Sequence, residues 1–218
     1  MNKNNISVWD AENAFYHKSN ISRLGKLIYQ YEIYKLIKDL PGDVLEFGVF
    51  KGNSLIRFLT FRSIIENNFS RKVYGFDTFK EFPTQKRKND KKLKKDFTAD
   101  AGKPIRKNIL KSILDKKKFE NFELVEGDVL KSLNKFLKNN PNLKISLLHL
   151  DMDVFNATNF VINKLKDRIV KNGIILIDDY GTVEGATKVI DNFLQKNKKL
   201  ELKKMSFYKV PSFIIKRF

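Results

Sequence analysis

From about residue 44 onward, short apolar β-rich runs alternate with stretches of helical period, and that alternation restricts the chain to the α/β class, a doubly wound sheet with helices on both faces. Strands are predicted at Val44–Phe50, Lys72–Asp77, Phe122–Gly127, Ile145–Asp151 and Gly173–Asp178. Each is almost continuously apolar, as a parallel strand buried on both faces must be. Helices are predicted at Ser54–Asn67, Ile105–Lys118, Val129–Lys138, Ala157–Lys171 and Glu184–Lys198. Two last runs, Leu200–Tyr208 and Ser212–Lys216, flank a short link, Lys209-Val210-Pro211. They read as a closing antiparallel pair, which makes a seven-stranded, mostly parallel sheet with its last strand antiparallel. Residues 15–40 carry a helical period that stops at Pro41-Gly42. Residues 1–40 therefore read as a helical preface covering the cofactor, and residues 41–218 as one domain. The connection over 80–104 shows no period, and its length is that of a lid.

Composition excludes several chemistries. With no cysteine there is no disulfide, thiolate nucleophile or cysteine-held zinc, so any metal is held by oxygen or histidine. No apolar run reaches the roughly 18 residues of a membrane span, and the polar N-terminus lacks an export signal, which makes the cytoplasm the expected compartment. The net charge of +18 admits a nucleic-acid partner. Yet the excess is mostly lysine in a chain also rich in Asn, Ile and Phe, the pattern of an AT-rich coding sequence. It concentrates at residues 86–95 and 116–118, without interleaved stacking aromatics. A solvated loop that meets an anionic substrate fits this pattern better than a nucleic-acid groove.

Two ends of the sheet carry chemistry. The first strand runs into Glu46-Phe47-Gly48-Val49-Phe50-Lys51-Gly52-Asn53-Ser54, where a G-x-x-x-G turn opens a helix. Such a turn lets backbone approach a ligand, although glycines in this pattern also serve a tight strand-to-helix turn alone. Its spacing is not that of a pyrophosphate cradle. Asp77 ends the second strand where a ribose diol would lie and can accept both hydroxyl hydrogens. Asp128, after the third, can meet an exocyclic amine or serve as a helix N-cap. Glu46, Asp77 and Asp128 together describe an adenosine site beside a cationic group. The fourth and fifth strands end in Leu150-Asp151-Met152-Asp153 and Ile177-Asp178-Asp179-Tyr180. Neighbouring strands would bring Asp151, Asp178 and Asp179 together, a cluster that is costly unless a hard divalent cation such as Mg²⁺ neutralises it. Caps or lysine partners are the alternative. His149 reads as a buried, hydrogen-bonded core histidine and not as a ligand.

Five ordered motifs resemble the macrocin O-methyltransferase (TylF-type) family: Pro41 to Val49, Gly75 to Phe79 with Phe82-Pro83, Glu126 to Leu130, Leu150 to Asp153, and Ile177 to Gly181. The Glu46 to Ser54 turn is also similar to that of the catechol O-methyltransferase class. The resemblance spans about residues 20–200. It implies a class I methyltransferase fold, S-adenosylmethionine and Mg²⁺, and transfer of a methyl group to a sugar hydroxyl. It further implies Asp151, Asp178 and Asp179 as metal ligands and Asp153 as the base. Asp77 would hold the ribose and Asp128 the adenine amine, with Thr78, Phe79, Val129 and Asp151 beside the cofactor. The catechol class has its catalytic lysine three residues after the first metal-binding aspartate, where this chain has Val154. The acceptor is not inherited. The lysine-rich stretch suggests an anionic one, such as a nucleotide-linked sugar, and a homodimer is compatible. Metal-dependent oxidation on the same fold, as in cephalosporin hydroxylase-like relatives, and RNA methylation remain open.

Overall fold

The structure, a computed structural model, describes residues 6–80, 99 and 101–217. The five apolar runs form β1 (Asp43–Phe47), β2 (Val73–Asp77), β3 (Phe122–Glu126), β4 (Ile145–Leu150) and β5 (Ile169–Ile177), and β6 (Leu202–Lys203) and β7 (Ser212–Ile215) follow. One sheet holds all seven in the order β3-β2-β1-β4-β5-β7-β6. β1 to β5 pair in parallel, and β7 enters antiparallel between β5 and β6. The strand order reverses between β1 and β4, so a crevice opens beyond their carboxyl ends, the usual ligand site of such sheets.

The helices are α1 (Val8–Lys18), α2 (Ile21–Ile37), α3 (Asn53–Ile65), α4 (Lys107–Lys116), α5 (Val129–Asn139), α6 (Phe155–Leu165) and α7 (Glu184–Lys196). Among the described residues, no helix is long and apolar enough to cross a membrane. The side-chain period of two along a strand splits the core into two layers. Leu45, Phe47, Leu148 and Leu150 face Leu133, Val161 and Val189. Val44 and Leu147 face Tyr29, Ile33, Phe58 and Leu59 on α2 and α3. The same period sends Glu46 and His149 to the α2–α3 side, where the His149 ring meets Phe58 edge-on at 5.4 Å.

Three boundaries differ from expectation. The preface is two helices, because Asn20 caps α2 by accepting from Arg23 N at 3.3 Å and so breaks the chain after α1. The helix predicted over Ala157–Lys171 ends at Leu165, and β5 begins at Ile169 instead of Gly173. A register shift in the β4–β5 ladder and a left-handed Asn172 accommodate the extra residues, so Lys171-Asn172-Gly173 forms a bulge inside the strand. The run Leu200–Tyr208 gives only a two-residue strand. The lysine-rich 86–95 stretch and Phe82-Pro83 lie outside the described residues.

Arg71 ties the preface to the sheet. Its guanidinium donates to the Ile37, Lys38 and Leu40 carbonyls at 2.9–3.1 Å, filling acceptors that the end of α2 leaves open. It also pairs with Glu66 at 2.6 Å and donates to Ser146 Oγ at 2.6 Å. Arg71→Met strips the buried Glu66 carboxylate of its charged partner, leaving it only the Tyr34 hydroxyl among these bonds, and is expected to cost about 3–5 kcal/mol in urea denaturation. A change below about 0.5 kcal/mol, the range of a neutral surface substitution, would show the network to be dispensable.

Candidate active site

A cavity of about 880 Å³ occupies the crevice beyond β1 and β4. Its floor is the turn after β1. Gly48 has φ +95°, and a Cβ there would fall 1.6 Å from the Asp151 carbonyl oxygen, so only hydrogen fits. Asp151 N donates to Phe47 O at 2.9 Å and Gly48 N to Phe76 O at 3.0 Å, which locks the turn between its neighbour strands. Val49, Phe50, Asn53 and Ser54 line the cavity beyond it. Gly52 does not; its left-handed conformation starts α3, and its missing Cβ lets Leu110 approach.

Asp77, at the end of β2, accepts from Phe50 N at 2.9 Å and from Phe79 N at 2.8 Å, so its carboxylate pins two turns while facing the cavity with Thr78. Phe79 is buried and lies behind the wall. Asp128 and Val129 line the far side. Asp128 also caps α5, accepting from Leu130 N at 3.0 Å, so the capping alternative is realised in a residue that faces the cavity. Glu46 does not reach the cavity. It is fully buried, takes a hydrogen bond from Ser54 Oγ and leaves Oε2 without a partner. Its side chain meets Ser54 and stands 3.6 Å from His149 Nδ1.

The opposite wall is acidic. Asp151, Asp153, Asp178 and Asp179 all line it. Ligand atoms of Asp151, Asp153 and Asp179 lie within 4.8 Å of one another, as do those of His149, Asp151 and Asp178, so Asp151 is common to two overlapping triads. Asp153 has φ +59°, in the left-handed region that Asp and Asn tolerate, and its N–H points at Asp179 Oδ2, 3.3 Å away. Burial and the Asp178 charge push Asp151 up to about 7. Burial, reinforced by Asp153, Asp151 and Asp178, raises Asp179 well above the carboxylate range. Burial also raises Asp153, against a hydrogen bond from Asp179. Burial would raise Asp178 too, but Lys26 and His149 hold it down at about 2.

Two cations face these acids among the described residues, and neither is legible as a partner in the sequence. Lys26 Nζ lies 2.6 Å from Asp178 Oδ2 and 3.6 Å from Asp151 Oδ2. His149 is fully buried, as expected, but it is no bland core histidine. Nδ1 lies 3.6 Å from Glu46 and Nε2 3.6 Å from Asp178 Oδ1. Burial opposes its charge, yet Asp178 and Glu46 raise it to about 9. The remaining surplus of carboxylate oxygens fits a hard divalent cation, and Asp178 Oδ1, buried and without a hydrogen-bond partner, is a free donor for one. Phe15, Ser19 and Arg23 of the preface also line the cavity.

The profile of the Macrocin-O-methyltransferase (TylF) family matches residues 22–206. Among solved structures, the calicheamicin methyltransferase CalS11 superposes with a TM-score of 0.79 at 23% identity, over 98% of this chain and 87% of that one. A ligand-free structure of CalS11 describes it as a TDP-rhamnose 3'-O-methyltransferase and superposes at 0.76, with 22% identity over 98% and 88% of the two chains. The O-methyltransferase NovP gives 0.71 at 17% identity over 86% and 78%. The O-methyltransferase from Bacillus cereus, in complex with S-adenosylhomocysteine, gives 0.56 at 13% over 94% and 86%. These structures share this chain's fold; no curated protein matches it significantly.

Proposed function

The chain belongs to the macrocin O-methyltransferase (TylF) family, and from that premise we propose that its crevice binds a nucleotide-linked sugar against a Mg²⁺ site and methylates it. It is an S-adenosylmethionine-dependent O-methyltransferase of sugar hydroxyls. The observation that carries the fuller reading is one cavity lined both by the Gly48, Asp77 and Asp128 strand ends and by a carboxylate cluster from Asp151 to Asp179.

Each residue then has a task. Gly48 lets the cofactor's amino-acid portion lie on backbone. Asp77, held by two amides, keeps its remaining lone pairs toward the ribose, and Asp128 faces the adenine. A divalent metal held by Asp151, Asp178 and Asp179 would supply the Lewis acidity that makes a hydroxyl easier to deprotonate. Asp153 accepts the hydroxyl proton, and burial raises its affinity for protons above that of an ordinary carboxylate, which makes it a better base. The preface helices exclude water, and much of the remaining rate comes from holding two reactants in line. The anionic acceptor is supported by Arg23 and Lys51 at the cavity wall, and by the TDP-sugar ascribed to CalS11.

Thermal-shift and turnover measurements with S-adenosylhomocysteine, Mg²⁺ and a panel of nucleotide sugars test the reading. A ligand present at about 100 times its Kd adds about 2.7 kcal/mol of stability, several degrees for a chain of this size. Stabilisation by neither the cofactor product nor the metal would overturn the reading. Methylation confined to uncharged glycosides would remove only the nucleotide-linked acceptor.

A further inference from the structure

Lys26 comes from the preface, yet its ammonium sits among the acids at the ends of β4 and β5. Its position follows from packing. The C-terminal half of α2 is anchored in the core by Tyr29, Ile33, Tyr34 and Ile37. One residue before Lys26, Gly25 lets α2 press on the Tyr208 ring, whose Cδ2 would lie 2.8 Å from any added Cβ. The helix is thus held close to the sheet edge, and the Lys26 side chain, only 24% exposed, extends into the cluster.

The two oxygens it addresses, Asp178 Oδ2 at 2.6 Å and Asp151 Oδ2 at 3.6 Å, belong to two of the three carboxylates assigned to the metal. An ammonium is a compact, hard point charge with donors in several directions, so carboxylate oxygens receive it much as they receive a small metal ion. Two cations sharing Asp178 Oδ2 would repel strongly in a half-buried site. We propose that Lys26 is the resident counter-ion of the acid cluster and competes with the divalent metal for Asp151 and Asp178, so that metal binding displaces the Lys26 ammonium. The inference rests on the metal site proposed above. It explains how four aspartates share one cavity wall in a folded protein without bound metal, and it makes metal affinity weaker than those carboxylates alone would give.

Titration calorimetry with Mn²⁺, on the full chain without cofactor, tests it. Lys26→Gln and Lys26→Met are expected to bind Mn²⁺ about 10-fold more tightly than the parent, the scale of one close charge pair. Lys26→Arg, which keeps the charge, is expected to bind like the parent. Both neutral variants are expected to melt lower without metal and to recover more on its addition. Circular dichroism verifies that each is folded, and either neutral variant alone suffices for the comparison. Unchanged affinity in the neutral variants overturns the competition and leaves the metal site standing. Weaker affinity also overturns it, because Lys26 would then be holding the carboxylates in place for the metal. If no protein in the series binds Mn²⁺, the metal site fails and the competition with it.

Discussion

Asp153→Asn is expected to lower the methyl-transfer rate about 10²- to 10⁴-fold, the span of a lost general base, while affinity for S-adenosylhomocysteine stays within a few-fold of the parent. Asn keeps the shape and the backbone of Asp153, whose left-handed φ of +59° suits Asn as well as Asp. The N–H bond to Asp179 Oδ2 survives too, since it is made by the main chain. What disappears is the proton acceptor. The pH profile separates this from simple damage. Burial raises Asp153, so the ionised, active form is lost as pH falls through that raised value, and the parent rate drops on its acid side. The variant has no such limb. Turnover under saturating cofactor and acceptor, followed across pH, is the measurement. A rate near that of the parent, or an unchanged acid limb, would assign the proton to another group.

The acids of the site are legible because each strand announces its end. A buried parallel strand tolerates few charges, so the step from Leu150 to Asp151, or from Ile177 to Asp178, marks both the strand terminus and the edge on which the carboxylate must lie. The β4–β5 register sets Leu150 beside Ile177, and the cluster follows from that pairing. Lys26 is invisible to the same reasoning. Its helical period says which face of α2 is apolar, but nothing local says that α2 will bring Lys26 to Asp178, 152 residues away. His149 was legible as buried and not as charged, because its two partners come from different strands. The direction of Glu46 is hidden for a related reason. Period two turns it away from the crevice and toward α3, where Ser54 meets it. The bulge at Lys171-Asn172-Gly173 hid the start of β5, since three turn-forming residues inside a strand read as its boundary.

Asp178→Asn should weaken metal binding by about 100-fold or more, since losing the outer partner of a metal ligand already costs 10- to 100-fold and this change removes a proposed ligand itself. Asp178 is the acid held lowest, at about 2, so it is ionised under every working condition. The same carboxylate pairs with Lys26 and stands beside His149, and that gives the variant a second signature, in stability without metal. His149 has its pKa raised from 6.5 to about 9, so its contribution to stability is complete below pH 6.5 and is lost as pH rises through 9. Without Asp178 the imidazolium keeps Glu46 and the charge of Asp151, and part of that contribution goes. Asp151, pushed up to about 7 partly by Asp178, shifts the balance the same way. Its raised value costs stability as pH climbs from the ordinary carboxylate range to 7, and relief of that repulsion favours the variant at high pH. Both groups therefore make the loss of stability larger at pH 6 than at pH 9.5. Urea midpoints of parent and variant at the two pH values, without metal, read the difference. An equal loss at both would mean that Asp178 does not hold His149 in its charged form, and the buried link from the cofactor turn through Glu46 and His149 to the acid cluster would lose its electrostatic basis.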